Sequence, residues 1–223
     1  MRWEAAQMGT AVATTQRGEA RSGGSVVRTQ PSGQVAFLFT DIEGSTRRWE
    51  EHPDEMCDAV ATHDTILRSV FDQHGGYVFA TTGDGFAVAF RSAAAAAKAA
   101  RHAADELEAH PWPTPRLIYI RIGIHVGEAQ ERNGNYYGRA VNRTARIMAA
   151  GHGGQILLSG AAVAAVADDA LVDLGEYQLK DLASPERLYQ LGLCEFRALR
   201  ALAVARPAWR VTTNYSAAAK RAS

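Results

Sequence analysis

Within the segment 117–128, LIYIRIGIHVGE, residues 118–126 alternate strictly between aliphatic and other residues. Ile118, Ile120, Ile122, Ile124 and Val126 fall on one face, and Tyr119, Arg121, Gly123 and His125 fall on the other. A period of two belongs to a strand, because a helix would scatter these isoleucines around its axis. A strand with one continuous aliphatic face needs sheet neighbours and a layer of helices to cover it. Strand neighbours are present. VAFLFT (35–40) is a short run of β-formers, apolar enough to be buried on both faces. YVFATTGDGFAVAF (77–90) holds two β runs about a Gly-Asp-Gly turn, a hairpin signal because Gly and Asp tolerate positive φ. QILLS (155–159) is a further strand, and weaker β runs lie near 171–180 and 187–193.

Helices fall between these strands. Pro53 at a first-turn position, beside Asp54 and Glu55, opens a helix. Met56, Val60, Ile66, Leu67, Val70 and Phe71 carry its apolar stripe to Gly75-Gly76, which stop it. Ser92 can cap an Ala-rich helix over 93–110, ended by the Pro111–Pro115 segment. A polar loop, ERNGN, leads into a helix from about Gly138 to Ala150, which GHGG ends, and a short helix follows the 155–159 strand. The order β-α-β-β-α-β predicts an α+β fold: a ferredoxin-like split βαβ core with an appended helix and strands. The domain spans about 35–194. Residues 1–34, rich in Gly, Ser, Thr, Gln and Arg, are expected to be a disordered leader. Residues 195–223 form an Ala/Arg-rich tail without a core period, read as frayed helix or disorder.

Bulk chemistry narrows the function. Lys+Arg and Asp+Glu balance at 24 each, so no basic field points to nucleic acid or to an anionic membrane. No aromatic-basic strand motif of the RNA-binding type appears. The two cysteines, Cys57 and Cys194, have no metal-binding spacing and fit a reduced compartment. No apolar run reaches the roughly 18–20 residues a membrane span needs, and the N-terminus lacks a secretory pattern. A cytoplasmic protein is expected.

Asp41 directly follows a buried strand, and Asp84 sits at a hairpin tip. In a split βαβ sheet the hairpin lies beside the first strand, so the two carboxylates can converge. Two hard oxygen ligands at strand ends suit Mg²⁺ or Mn²⁺, which complete their shells with substrate phosphates, and the Ile42 carbonyl can add a ligand. Each residue has a plainer reading, Asp41 as a helix cap and Asp84 as a turn residue. Their combination favours the metal. Asn142 and Arg146 share one face of the 138–150 helix.

FLFTDIEGSTRRWE, TTGDGFAVAF, RIGIHVGEA and YYGRAVNRTARIMAAGHGGQILLS together resemble, in order, the signature segments of class III adenylyl/guanylyl cyclase domains. They are most similar to the actinobacterial branch found fused to ATPase and regulator modules. The resemblance implies a head-to-tail homodimer with active sites at its interface and two Mg²⁺ or Mn²⁺ ions per site. It implies conversion of a nucleoside triphosphate, ATP first, to the cyclic 3′,5′-monophosphate and pyrophosphate. By the same resemblance Asn142 orients the ribose and Arg146 meets charge on the α-phosphate, while Lys180 reaches the triphosphate. The family's base-reading Lys and Asp correspond to Ala80 and Asn135, and a usual Arg corresponds to Glu128. An alanine methyl has no donor, whereas the Asn135 amide can donate and accept. Two readings follow: a weak or base-relaxed nucleotidyl cyclase, or a catalytically degenerate cyclase-fold module for dimerisation or nucleotide sensing.

Overall fold

The computed structural model describes residues 30–112, 118–167 and 170–205. Most of the expected leader and much of the expected tail lie outside the described residues. β1 (Gln34–Ile42) leads through α1 (Ser45–Glu51) and α2 (Pro53–Gln73) into a hairpin, β2 (Tyr77–Thr82) and β3 (Gly85–Phe90). α3 (Ala93–Ala109) then returns the chain to β4 (Ile120–Glu128). These four strands lie in the order β4-β1-β3-β2, with β1 antiparallel to both β3 and β4. That is the ferredoxin-like split βαβ arrangement the element order predicts.

The appended part extends the same sheet. A small hairpin, β5 (Gln130–Arg132) and β6 (Asn135–Tyr137), precedes α4 (Arg139–Ala150). After α4 comes β7 (Ile156–Ser159), parallel to β4 as a helical crossover requires. α5 (Gly160–Val163), β8 (Leu171–Gln178), β9 (Glu186–Leu191) and β10 (Leu202–Ala205) complete the order β10-β8-β9-β7-β4-β1-β3-β2. The fold is α+β. Among the described residues, no helix is long and apolar enough to cross a membrane.

Helices cover both faces. Ala36, Leu38 and Ile42 of β1 pack with the Ile122 and Ile124 side chains under α2 and α3. Ser92 caps α3, accepting a bond from the Ala95 amide at 3.2 Å. Phe37 and Phe39 face the other way, into a second cluster with Ala140, Ala145 and Met148 of α4. The contact between α4 and β4 is close because Gly123 has no side chain. A Cβ there would lie 2.4 Å from the Met148 amide nitrogen and 2.7 Å from its Cα.

Three expectations need correction. The ERNGN segment is not a plain loop but the turn of the β5–β6 hairpin, whose Tyr136 is buried among Phe37 and Phe79. Asp41 does not follow the first strand; the strand continues through Ile42. The tail does not begin at 195 as structureless chain, since Leu202–Ala205 pairs with β8. The Ile stripe is placed as read, with Ile118, Ile120, Ile122 and Ile124 buried, although Leu117 lies outside the described residues.

Replacing Gly123 by alanine forces a methyl into backbone rather than into a flexible side chain. Gly123→Ala is expected to cost about 2–3 kcal/mol of unfolding free energy. Urea unfolding of the two proteins measures the difference.

Candidate functional site

Two glycines bring the acid pair together. Gly83 takes φ 61° and turns the β2–β3 hairpin. Gly85 allows that turn to press on β1, since a Cβ there would lie 2.7 Å from the Thr40 carbonyl oxygen. The Phe86 amide donates to Thr40 Oγ1 at 3.1 Å, which fixes the approach. Asp84, between the two glycines, therefore reaches Asp41 at the end of β1. Both are nearly buried, at 8% and 9% relative exposure. Ile42 follows Asp41 with its side chain in the core.

Asp41 is cross-strand from Arg121 of β4, and the Arg121 guanidinium donates to its carboxylate. Asp84 has less compensation. Burial raises its carboxyl above the ordinary range and the Asp41 charge raises it further, against lowering contributions from a Ser45 hydrogen bond and from His63. Its Oδ2 atom is buried without a hydrogen-bond partner. A buried, unpartnered carboxylate oxygen beside a second carboxylate fits a cation. Among the described residues no cluster of three or more His, Cys, Asp or Glu side chains could hold a metal. A divalent ion here would thus draw on two carboxylates, backbone oxygen and its substrate, the hard-oxygen pattern of Mg²⁺ and Mn²⁺.

Asn142 and Arg146 lie one turn apart on α4, as their spacing requires. Asn142 is exposed and Arg146 partly buried. Arg146 Nη2 donates to Asp181 Oδ2 at 2.7 Å. Asp181 adopts φ 61° in the turn after β8, directly after exposed Lys180. The Arg146–Asp181 bond thus sets Lys180 beside α4. Two groupings result: Asp41, Ile42 and Asp84 at the end of β1, and Arg146 with the Lys180 turn.

Ala80 is half-buried in β2 and packs against the cluster containing Tyr136. Asn135 opens β6, its Oδ1 accepting from the Tyr136 amide at 2.7 Å. β6 is held to β2 by the Phe79 and Tyr136 rings, 5.0 Å apart, and by Tyr77 Oη donating to the Gly134 carbonyl at 3.0 Å. The structure thus brings the strands of Ala80 and Asn135 side by side. His125 is structural: burial, and after it the Arg143 charge, pushes its imidazole down to about 4, and it bonds Ser159 Oγ at 2.8 Å.

Sequence reasoning missed Ser45 as an Asp84 partner, and it noticed Arg121 without its partner. The signal for Arg121 was its place opposite the Ile stripe, but only the β1–β4 register identifies Asp41 across from it.

Comparison with known proteins agrees with this architecture. A family described as "Adenylate and Guanylate cyclase catalytic domain" matches residues 27–192. A receptor-type adenylate cyclase of Trypanosoma congolense is 34% identical over 215 residues, covering 75% of this chain and 29% of that protein. A Mycobacterium tuberculosis protein described as uncharacterized is 39% identical over 179 residues, covering 77% of this chain and 60% of its own length. The chain therefore spans less than two thirds of the length of either relative. Among solved structures, a Trypanosoma brucei adenylate cyclase in its monomeric state superposes with TM-score 0.71 at 28% identity, over 78% of this chain and 95% of that one. An adenylate/guanylate cyclase/hydrolase of Silicibacter pomeroyi gives TM-score 0.66 at 27% identity, over 73% of this chain and 98% of the other.

The raised Asp84 carboxyl has a testable sign. The folded state holds this proton to higher pH than the unfolded chain does. Its contribution to stability is therefore full below the unfolded carboxylate range and is lost as pH rises toward the folded value. At pH 7 without metal, Asp84→Asn is expected to melt about 2–4 °C above the parent, the size of a roughly 1 kcal/mol effect in a domain this large. The gap closes below about pH 4. Added Mn²⁺ raises the melting temperature of the parent and not of the variant, as read by thermal scanning across pH with and without the ion.

Proposed function

The chain belongs to the adenylate and guanylate cyclase catalytic domain family, and from that premise we propose that it is a homodimeric nucleotidyl cyclase converting ATP to cyclic AMP and pyrophosphate, with weak or relaxed base selection. The observation that carries this reading is the buried pair Asp41 and Asp84, with an unpartnered Asp84 oxygen. With the Ile42 carbonyl, these are the residues that would hold two Mg²⁺ or Mn²⁺ ions. The ions, when bound, supply charge neutralisation for the triphosphate and acidify the ribose 3′-hydroxyl.

The protein's own groups position the rest. The 3′-oxygen attacks the α-phosphorus in line as its proton passes to solvent. The bond from the α-phosphorus to the bridging oxygen breaks, and pyrophosphate leaves. Asn142 holds the ribose in that orientation. Arg146 releases Asp181 and turns its forked donors to the α-phosphate of a partner's site, and Lys180 meets the outer phosphates. Asn142, Arg146 and Lys180 of one chain thus complete the acid pair of another, as the family resemblance implies. The cytoplasm supplies the nucleotide and the ions.

A second reading rests on Ala80 and Asn135. The half-buried Ala80 methyl cannot bond a base edge, and the Asn135 amide, whose Oδ1 also accepts from the Tyr136 amide, lacks the charge of the aspartate its motif resembles. A domain that binds nucleotide without turnover, kept for dimerisation or sensing, would tolerate both.

Purified protein is expected to form cyclic nucleotide from ATP with Mn²⁺, with a lower yield from GTP. Asp41→Ala and Arg146→Ala are each expected to lose about 100-fold or more. Mixing the two inactive variants restores part of the activity, because one composite site in the mixed dimer is intact. Product formation equal to that of Asp41→Ala would defeat the enzyme reading. Activity appearing only after Ala80→Lys with Asn135→Asp would establish the degenerate one.

A further inference from the structure

The family match ends at residue 192, yet ordered chain continues past it. Residues 196–205 cross the edge of the domain and touch three segments that carry candidate site residues. At the end of β1, the carboxylate of Glu43 receives Arg197 Nη2 at 3.2 Å and the guanidinium of Arg200. The other Glu43 oxygen accepts from the Gly153 amide at 3.2 Å. At the end of α4, the Arg200 amide donates to the carbonyl of Ala150, the last residue of that helix, at 2.9 Å. His152 lies between the two ends. It is 5% exposed, with one ring nitrogen 2.9 Å from the Ala198 carbonyl oxygen and the other 3.0 Å from Arg197 Nε. At the end of β8, Leu202 pairs with Gln178, whose side-chain amide donates to the Leu182 carbonyl across the Lys180–Asp181 turn at 2.5 Å.

We propose that residues 196–205 are a positioning strap for the active site, with Glu43, Arg197 and Arg200 as its clamp. The strap binds the chain just beyond the metal-binding end of β1 to the C-terminal end of the helix that carries Asn142 and Arg146. What it positions rests on the cyclase reading; that it positions anything does not. Each attachment is local and polar. The Arg197 and Arg200 side chains are exposed, at 70% and 38%, so their pairs with Glu43 add little to global stability. Their geometric consequence is larger. Glu43 also donates its amide to the Tyr119 carbonyl at 3.0 Å, so the clamp holds the crossing between β1 and the start of β4. Asp41 and Arg121 pair on the two strands that meet there. Releasing the strap frees the one end of β1 where a small rotation moves a metal-binding carboxylate.

The full chain is compared with Arg197→Ala/Arg200→Ala and with the conservative Arg197→Lys/Arg200→Lys. Backbone hydrogen exchange and Mn²⁺ binding, followed by the electron paramagnetic signal of the free ion, are the two readouts. In the alanine pair, exchange over 41–44 and 147–150 is expected to quicken about tenfold while the middle of the β1–β4 ladder keeps its protection. Mn²⁺ affinity is expected to fall about tenfold. The lysine pair restores both. Faster exchange confined to 196–205, or Mn²⁺ binding equal to the parent's, overturns the strap as a positioning device. A parent that binds no Mn²⁺ defeats the metal reading of Asp41 and Asp84 instead, and the exchange data still decide the strap.

Discussion

β1 is the strand on which the rest depends. It is hydrogen-bonded along both edges, to β3 and β4, and every residue from Val35 to Ile42 is buried. Alternation divides its side chains between two apolar layers, Leu38 and Ile42 beneath α2 and α3, Phe37 and Phe39 beneath α4. A strand held on four sides does not slip in register, because a one-residue shift would exchange the two layers. Asp41 lies near the end of this strand, past the residues paired with β3, so the core sets its register and the contacts at the strand's end complete its placement. The hairpin tip then meets it because Gly85 leaves room against the Thr40 carbonyl.

The consequence is electrostatic. Burying two carboxylates side by side is unfavourable unless positive charge compensates. Arg121 supplies compensation to Asp41 alone, while burial and the Asp41 charge raise Asp84. With two acids and one guanidinium, the cluster lacks positive charge whenever both carboxyls are ionised. Core packing elsewhere offsets that imbalance, which a cation beside the pair would relieve. Close placement of the two carboxylates and incomplete compensation of their charge are thus two results of the same buried strand.

Much of this could be read in the sequence because the residues concerned obey strong local rules. The isoleucines of β4 repeat at period two over enough positions to exclude a helix, and Gly-Asp-Gly between two β runs permits few structures besides a hairpin. Where the rules weaken, the reading failed. β5 and β6 are three residues each, too short to show a period, and only the burial of Tyr136 betrays them. β10 misleads in a different way. Its large residues, Leu202 and Val204, are 73% and 54% exposed, while small Ala203 packs against the domain. A pattern search weights bulk, so the strand reads as a tail. The approach of Asp84 to Asp41 could be anticipated from their own positions, at the end of a strand and the tip of the neighbouring hairpin. Arg121 as a partner could not, since a cross-strand ion pair depends on register, and register is set by the whole sheet.

The two ends of the candidate site are built from different physics, and this bears on how Ala80 and Asn135 came to differ from the residues their motifs resemble. The Asp41–Asp84 end depends on a strained charge balance, where any substitution alters burial and repulsion together. The end near β2 and β6 depends on aromatic packing: Tyr136 meets Phe37, Phe79 and Tyr77 edge to face. That cluster holds the β5–β6 hairpin in place without any contribution from the side chain at position 80 beyond a methyl group. Replacing a charged residue there by alanine removes a polar group from the rim of an apolar cluster, which leaves the fold intact and can even favour packing. A methyl at position 80 is enough for this packing, so the aromatic cluster, and through Phe37 and Phe39 the seating of β1 that carries Asp41, is built without a polar side chain at that position.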